Sequence, residues 1–202
     1  MISNIIEGGR ALGALGSYES DWHTDMSYKE ECPSASILYA LEVPPVGGNT
    51  SFADMHAAYE SLPADLRAAV ARKLCKHDSS RNSAGELRKG FAEVINPRDA
   101  PGAVHPIVRT HPETRRPALF LGRRRNAYIM GMEVGESERL LDRLWVHAIR
   151  PEICWTQIWN AGDLVMWDNR RVMHRRDALD EKHRRLMHRT QVKGERPFFA
   201  SA

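Results

Sequence analysis

The chain has 202 residues, 42% of them apolar and 27% charged, with a formal net charge of +3. These values fit an ordinary soluble globular domain with room for a substantial core, and they exclude a disordered or collagen-like chain. No apolar run approaches the ~20 residues that span a bilayer, and the N-terminus lacks the basic start and apolar stretch of a secretion signal, so the expected setting is cytoplasmic, with no membrane partner.

Residues 1–20 are Gly-rich and weakly patterned. Residues 34–43 read as a buried strand, closed by the turn Pro44-Pro45-Val46-Gly47-Gly48-Asn49. Thr50 to Asp54 reads as a short strand. Two helices follow, His56 to Leu62 and one starting near Pro63, the second placing Leu66, Ala69, Val70 and Leu74 on one face. Residues 77–103 are polar and rich in turn formers, a length that suits a lid or substrate loop. Val104–Thr110 and Pro117–Leu121 read as strands around a turn. Glu136–Ile149 is an amphipathic helix that Pro151 terminates. Ile153–Trp159, Asp163–Trp167 and Arg185–Val192 are further strands, the first two separated by a turn at Ala161-Gly162-Asp163. Many short strands with helical insertions, and no alternating βα pattern, predict one mainly β domain over residues 1–202, a β-sandwich or jelly roll.

Cys32, Cys75 and Cys154 have no C-x-x-C spacing, which argues against a disulfide framework or structural zinc and suits a reducing compartment. The basic clusters, Arg123-Arg124-Arg125 among them, have no interleaved aromatic residues. They read as solvated surface or ion pairs, and no nucleic-acid partner is expected.

His23-Thr24-Asp25 is an H-x-D triplet whose ends share a face if the segment is a strand. With 9 histidines and 11 aspartates in the chain, about half of one such triplet arises by chance, so the triplet alone is weak. A distant third ligand, His174, would complete the two-His, one-carboxylate set that suits Fe(II) and leaves positions open on the metal. Arg185 and Arg189 share a strand face by the period of two. Two inward guanidiniums require anionic partners, and a carboxylate fits their planar fork.

At these residues the chain resembles the taurine dioxygenase and 2,4-dichlorophenoxyacetate dioxygenase family. Trp22-His-Thr-Asp25 resembles the first metal motif, and Pro44 to Met55 the segment carrying a co-substrate threonine. Gly162 to Arg170 with His174 resembles the distal motif, and Arg184 to Arg189 the C-terminal arginine motif. The resemblance implies a double-stranded β-helix. It implies His23, Asp25 and His174 on Fe(II), and Arg185 with Thr50 on 2-oxoglutarate. Arg189 would face the acidic group of the substrate or the second carboxylate of the co-substrate. The implied reaction uses dioxygen to hydroxylate a small anionic organic substrate, a sulfonate or carboxylate, with release of succinate and CO2.

Family members carry a sizeable segment before the first metal motif, whereas His23 stands near the start here. The expectation is an N-terminally short jelly roll, truncated or completed by a partner subunit, and a homo-oligomer would cover the strand edge left unpaired. Two other readings share the fold: a metal-dependent hydrolase that would not need Arg185 or Thr50, and a catalytically impaired fragment or binding protein.

Overall fold

The computed structural model describes residues 1–16 and 20–200. The chain begins with strands β1 (Ile2–Ser3), β2 (Ile6–Glu7), β3 (Arg10–Ala11), β4 (Ala14–Leu15), β5 (Ser20–His23), β6 (Ala35–Glu42) and β7 (Thr50–Asp54). Helices α1 (Met55–Glu60) and α2 (Ala64–Val70) lead to β8 (Leu74–Lys76), β9 (Val104–Pro106), β10 (Val108–Thr110), β11 (Pro117–Leu119) and β12 (Tyr128–Ile129). The long helix α3 (Val134–Ala148) precedes β13 (Cys154–Gln157), β14 (Leu164–Asp168), β15 (Val172–Arg176) and β16 (Leu186–Val192).

Two sheets form the jelly roll. One runs β14-β6-β16-β1-β4 and the other β13-β7-β15-β5, with every pairing antiparallel except β1 with β4. Alternation decides what lies between them. In β6, Ser36, Leu38 and Ala40 are buried while Tyr39 is exposed. Leu38 and Ala40 join Ile2, Phe52, Trp167 and Met187 in the core between the sheets. Along β7 and β15 the neighbouring positions Ala53 and Met173 point the other way, into a larger core with the helices. There α3 buries Leu140, Leu141, Leu144, Trp145 and Ala148, the apolar face expected of it. The helices therefore back the second sheet and leave its inner face, with Phe52 and His174, for the site.

Several elements differ from expectation for local reasons. The weakly patterned start supplies β1 and β4 to the main sheet, where Ile2 pairs with Met187. The strand expected over Val104–Thr110 divides around Ile107. Its first half pairs with β8 and its second with β11, so the chain changes sheets next to Pro106, a residue with no N–H to give a ladder. Leu74 does not extend the face of α2. The helix ends at Val70, Arg72 takes a φ of 58°, and Leu74 sits in β8 at 46% exposure. Within 77–103 the only helical element among the described residues is the 3-10 turn Pro97–Asp99, yet His77, Asp78, Ser80 and Ser83 are buried. The segment is pinned by His77 N–H to Ala103 O at 2.9 Å and by Asp21 N–H to Ser83 O at 2.9 Å.

Candidate metal centre

Register brings the two histidines together. His174, in the middle of β15, is the cross-strand partner of His23, the last residue of β5, and their ring centroids are 4.2 Å apart. Asp25 is not on that strand. β5 ends at His23 and Asp25 lies in the following turn, so the carboxylate reaches the histidines because the chain bends and not because of the strand pleat. Met26, immediately after it, has a φ of 50°, an uncommon conformation for a residue with a side chain. Two contacts hold this turn. Thr24 N–H donates to Gly122 O at 3.0 Å. Asn169 accepts from Asp25 N–H at 3.0 Å and donates to the carbonyls of Asp25 and Pro33, each at 3.0 Å.

Asp25 Oδ1 lies 3.7 Å from His23 Nε2 and 4.0 Å from His174 Nε2. The ligand atoms of the three residues all fall within 4.8 Å of one another, and all three residues are buried. His23 Nδ1 is 2.7 Å from Asp21 O. That contact requires a proton on Nδ1, which leaves Nε2 with a lone pair facing its neighbours. His174 is oriented by ring packing against Phe52 and Trp167, with centroids at 6.1 Å and 4.8 Å. Burial, followed by the adjacent His23, pushes the His174 imidazole down to about 3, so it is neutral and able to donate a lone pair. Burial pulls Asp25 upward, but His174, His23 and Arg189 outweigh it and hold the carboxyl below its ordinary range, ionised. Two imidazoles and one carboxylate on one side of a pocket are a donor set suited to a divalent first-row metal with open positions.

Asp25 Oδ2 accepts a hydrogen bond from Ser36 Oγ at 2.7 Å, and Ser36 Oγ in turn accepts from Gln191 Nε2 at 3.1 Å. Sequence reasoning missed Ser36, because one serine in an apolar strand carries no motif; its inward position in β6 was the available signal. Partners of this kind hold ligands in place, and their loss typically weakens metal binding by about 10- to 100-fold. Ser36→Ala is expected to reduce metal affinity within that range in an anaerobic titration with Mn(II). Unchanged affinity would mean that the hydrogen bond does not position Asp25.

Thr50 and Arg185, together with His23, His174, Leu38 and Arg189, line one cavity of about 390 Å³. Arg185 is 2% exposed, and its Nε and Nη1 are buried with no hydrogen-bond partner among the described residues. Burial, then Arg176, lowers its pKa to about 9. Thr50 Oγ1 accepts from Trp159 Nε1 at 3.0 Å, which leaves the threonine hydroxyl proton to be given elsewhere. Trp159 was also missed in the sequence. Gly48 makes room for this arrangement: its φ is 65°, and a Cβ there would lie 3.2 Å from Arg185 Cδ. Arg189 Nη1 is 3.3 Å from Asp25 Oδ1, so Arg189 borders the cluster while Arg185 lines the same cavity.

The chain is 37% identical over 179 residues to the (S)-phenoxypropionate/alpha-ketoglutarate-dioxygenase of Sphingobium herbicidovorans, covering 86% of this chain and 62% of that protein. It is 37% identical over 197 residues to the alpha-ketoglutarate-dependent 2,4-dichlorophenoxyacetate dioxygenase of Cupriavidus pinatubonensis, covering 93% and 67%. The chain thus spans less than two thirds of the first of these relatives. Its fold is similar to the crystal structure of AAD-2 in complex with Mn(II) and N-oxalylglycine, with a TM-score of 0.77, 38% identity, and coverage of 88% of this chain and 70% of that one. Residues 7–191 match the taurine catabolism dioxygenase TauD, TfdA family, and with this fold and this cluster of side chains the chain belongs to that family.

Proposed function

We propose that this domain is an Fe(II)- and 2-oxoglutarate-dependent dioxygenase that hydroxylates a small anionic organic substrate and releases succinate and CO2. The observation that carries the reading is Arg185, a buried guanidinium with no counter-ion among the described residues, in the cavity that also holds the imidazoles of His23 and His174. A buried charge is tolerated when something pairs with it, and a dicarboxylate co-substrate supplies that partner. A hydrolase using the same three ligands would have no use for such a group.

In this reading His23, Asp25 and His174 hold the metal. Bound there, ferrous iron supplies the redox chemistry that couples decarboxylation of 2-oxoglutarate to transfer of oxygen from O2 to the substrate. Arg185 binds the distal carboxylate of the co-substrate as a planar fork, and the Thr50 hydroxyl, its oxygen already accepting from Trp159, donates to the same group. Arg189 faces the acidic group of the substrate. Phe52, Trp167 and Leu38 exclude water around the ligands. Residues 77–103 act as the substrate loop, which fits their placing of Asn82, Ser83 and Arg88 along the cleft beside Asp25.

The single-domain reading of residues 1–202 and a cytoplasmic setting belong to the same proposal. Three free thiols, Cys32, Cys75 and Cys154, suit a reducing compartment. No helix among the described residues is long and apolar enough to cross a membrane. A homo-oligomer is also part of it: the outer face of the main sheet shows Tyr39, Leu164 and Met166 exposed, a surface a second copy would cover.

The test is succinate release in air by the Fe(II)-loaded protein with 2-oxoglutarate and a panel of sulfonates, aryloxyalkanoates and small carboxylic acids. At least one acid is expected to stimulate release. Release that no acid stimulates, or that continues without the metal, counts against the proposal.

A further inference from the structure

A second cleft, about 420 Å³, shares His23 and Arg189 with the cavity of Arg185 and also reaches Asp25. Among the described residues its walls carry three guanidiniums, Arg88, Arg123 and Arg189, against one carboxylate, Asp25, which already sits between two imidazoles. Arg123 belongs to the arginine triplet read from sequence as surface, and the triplet is not uniform. Arg124 is ion-paired to Glu138 and Asp142, and Arg125 is exposed, whereas Arg123 is drawn inward. Its backbone bridges to His23. Its Nη1 donates to Arg81 O at 2.7 Å, and its Nε is buried with no partner among the described residues.

Arg88 and Arg123 both lie over the ring of Tyr28, at 4.1 Å and 5.6 Å from its centroid. Burial, then the nearby Arg88, lowers the pKa of Arg123 to about 10. Asp78, the other acid close to Arg123, is engaged by Ser80 and Asn126. The tyrosine ring attracts each cation and fixes its plane, but it does not cancel the repulsion between them. An anion lying between the two planar forks would.

Resting on the dioxygenase reading, we infer that Arg123, supported by Arg88, is a second anion station in the substrate cleft, so that the primary substrate is a small organic compound carrying two acidic groups. Arg189 takes the acid beside the metal cluster and Arg123 takes the other. The cleft adjoins a recess of about 740 Å³, also bordered by Asn82, Ser83 and Arg123, which leaves space for the rest of such a molecule.

The test is binding without turnover. Protein saturated with Mn(II) and N-oxalylglycine is titrated by calorimetry with benzenesulfonate and with benzene-1,3-disulfonate. The disulfonate is expected to bind at least about ten-fold more tightly, a preference of the size one added charge-assisted contact gives. Arg123→Gln should reduce that preference to within about two-fold, and Arg88→Gln, at a position without the strand bridge to His23 that Arg123 makes, should reduce it in part. Equal binding of the two probes, or a preference that survives both substitutions, overturns the proposal. If N-oxalylglycine fails to bind, the dioxygenase reading falls separately, and the same pair titrated with Mn(II) alone still decides the second station.

Discussion

Asp25→Ala is expected to abolish metal binding and 2-oxoglutarate turnover while leaving the fold intact. The carboxylate is the one anionic donor in the cluster, and its Oδ1 faces both imidazoles. Outer partners of metal ligands are already worth about 10- to 100-fold, so loss of a ligand itself should exceed about 10³-fold in affinity. The fold survives because Asn169 holds residue 25 through its backbone N–H and C=O, which alanine retains. His174→Ala is a harsher probe, since it also opens a gap beside Phe52, Trp167 and His23. Calorimetry with Fe(II) under anaerobic conditions and a thermal melt together read both effects. Wild-type iron affinity in Asp25→Ala would remove the basis of the assignment.

Arg185→Met is expected to move two quantities in opposite directions. Truncating one member of a buried charge pair costs about 2–5 kcal/mol, so the apparent Michaelis constant for 2-oxoglutarate should rise by roughly 30-fold or more. The ligand-free protein should melt at a higher temperature, because the variant no longer buries a guanidinium that has no counter-ion among the described residues. The sign follows from the depressed pKa. Above about 9 the folded chain releases a proton that the unfolded chain still holds, so the wild-type penalty is fully present below that pH and eases as pH rises through it. N-oxalylglycine should raise the melting temperature of the wild type and leave that of the variant almost unmoved. Equal co-substrate affinity in the two proteins would remove Arg185 from its role.

The strand at Thr50–Asp54 and the long strand near residue 35 were legible as short runs on either side of the Pro44–Asn49 turn, and the amphipathic α3 by its period of 3.6; many such strands with helical insertions marked the jelly-roll class. β15 was not legible. Val172-Met-His-Arg-Arg alternates, but after Val172 the positions facing the site are His174 and Arg176, so the apolar signal that marks a buried strand is absent where the site is built. β1 and β4 are two residues each and take their structure from their neighbours. At the site, spacing together with the family resemblance named the residues that the fold gathers, His23, Asp25, His174, Thr50, Arg185 and Arg189, but the strand argument placed Asp25 on the wrong kind of element. Ser36, Asn169 and Trp159 act through hydrogen bonds across more than ten positions of chain, and no local pattern announces such contacts.

The pairing of β5 with β15 fixes when the metal ligands can meet. His23 and His174 are 151 positions apart, and they become neighbours only once two segments from opposite ends of the chain have docked edge to edge. Closing so wide a loop is among the late and entropically costly events of folding. A chain stalled before that step presents a lone imidazole and a nearby acid, a poor chelator. In the proposed role, ion capture would therefore come after assembly, as a seal on finished topology, in contrast to small zinc modules whose ion starts their folding.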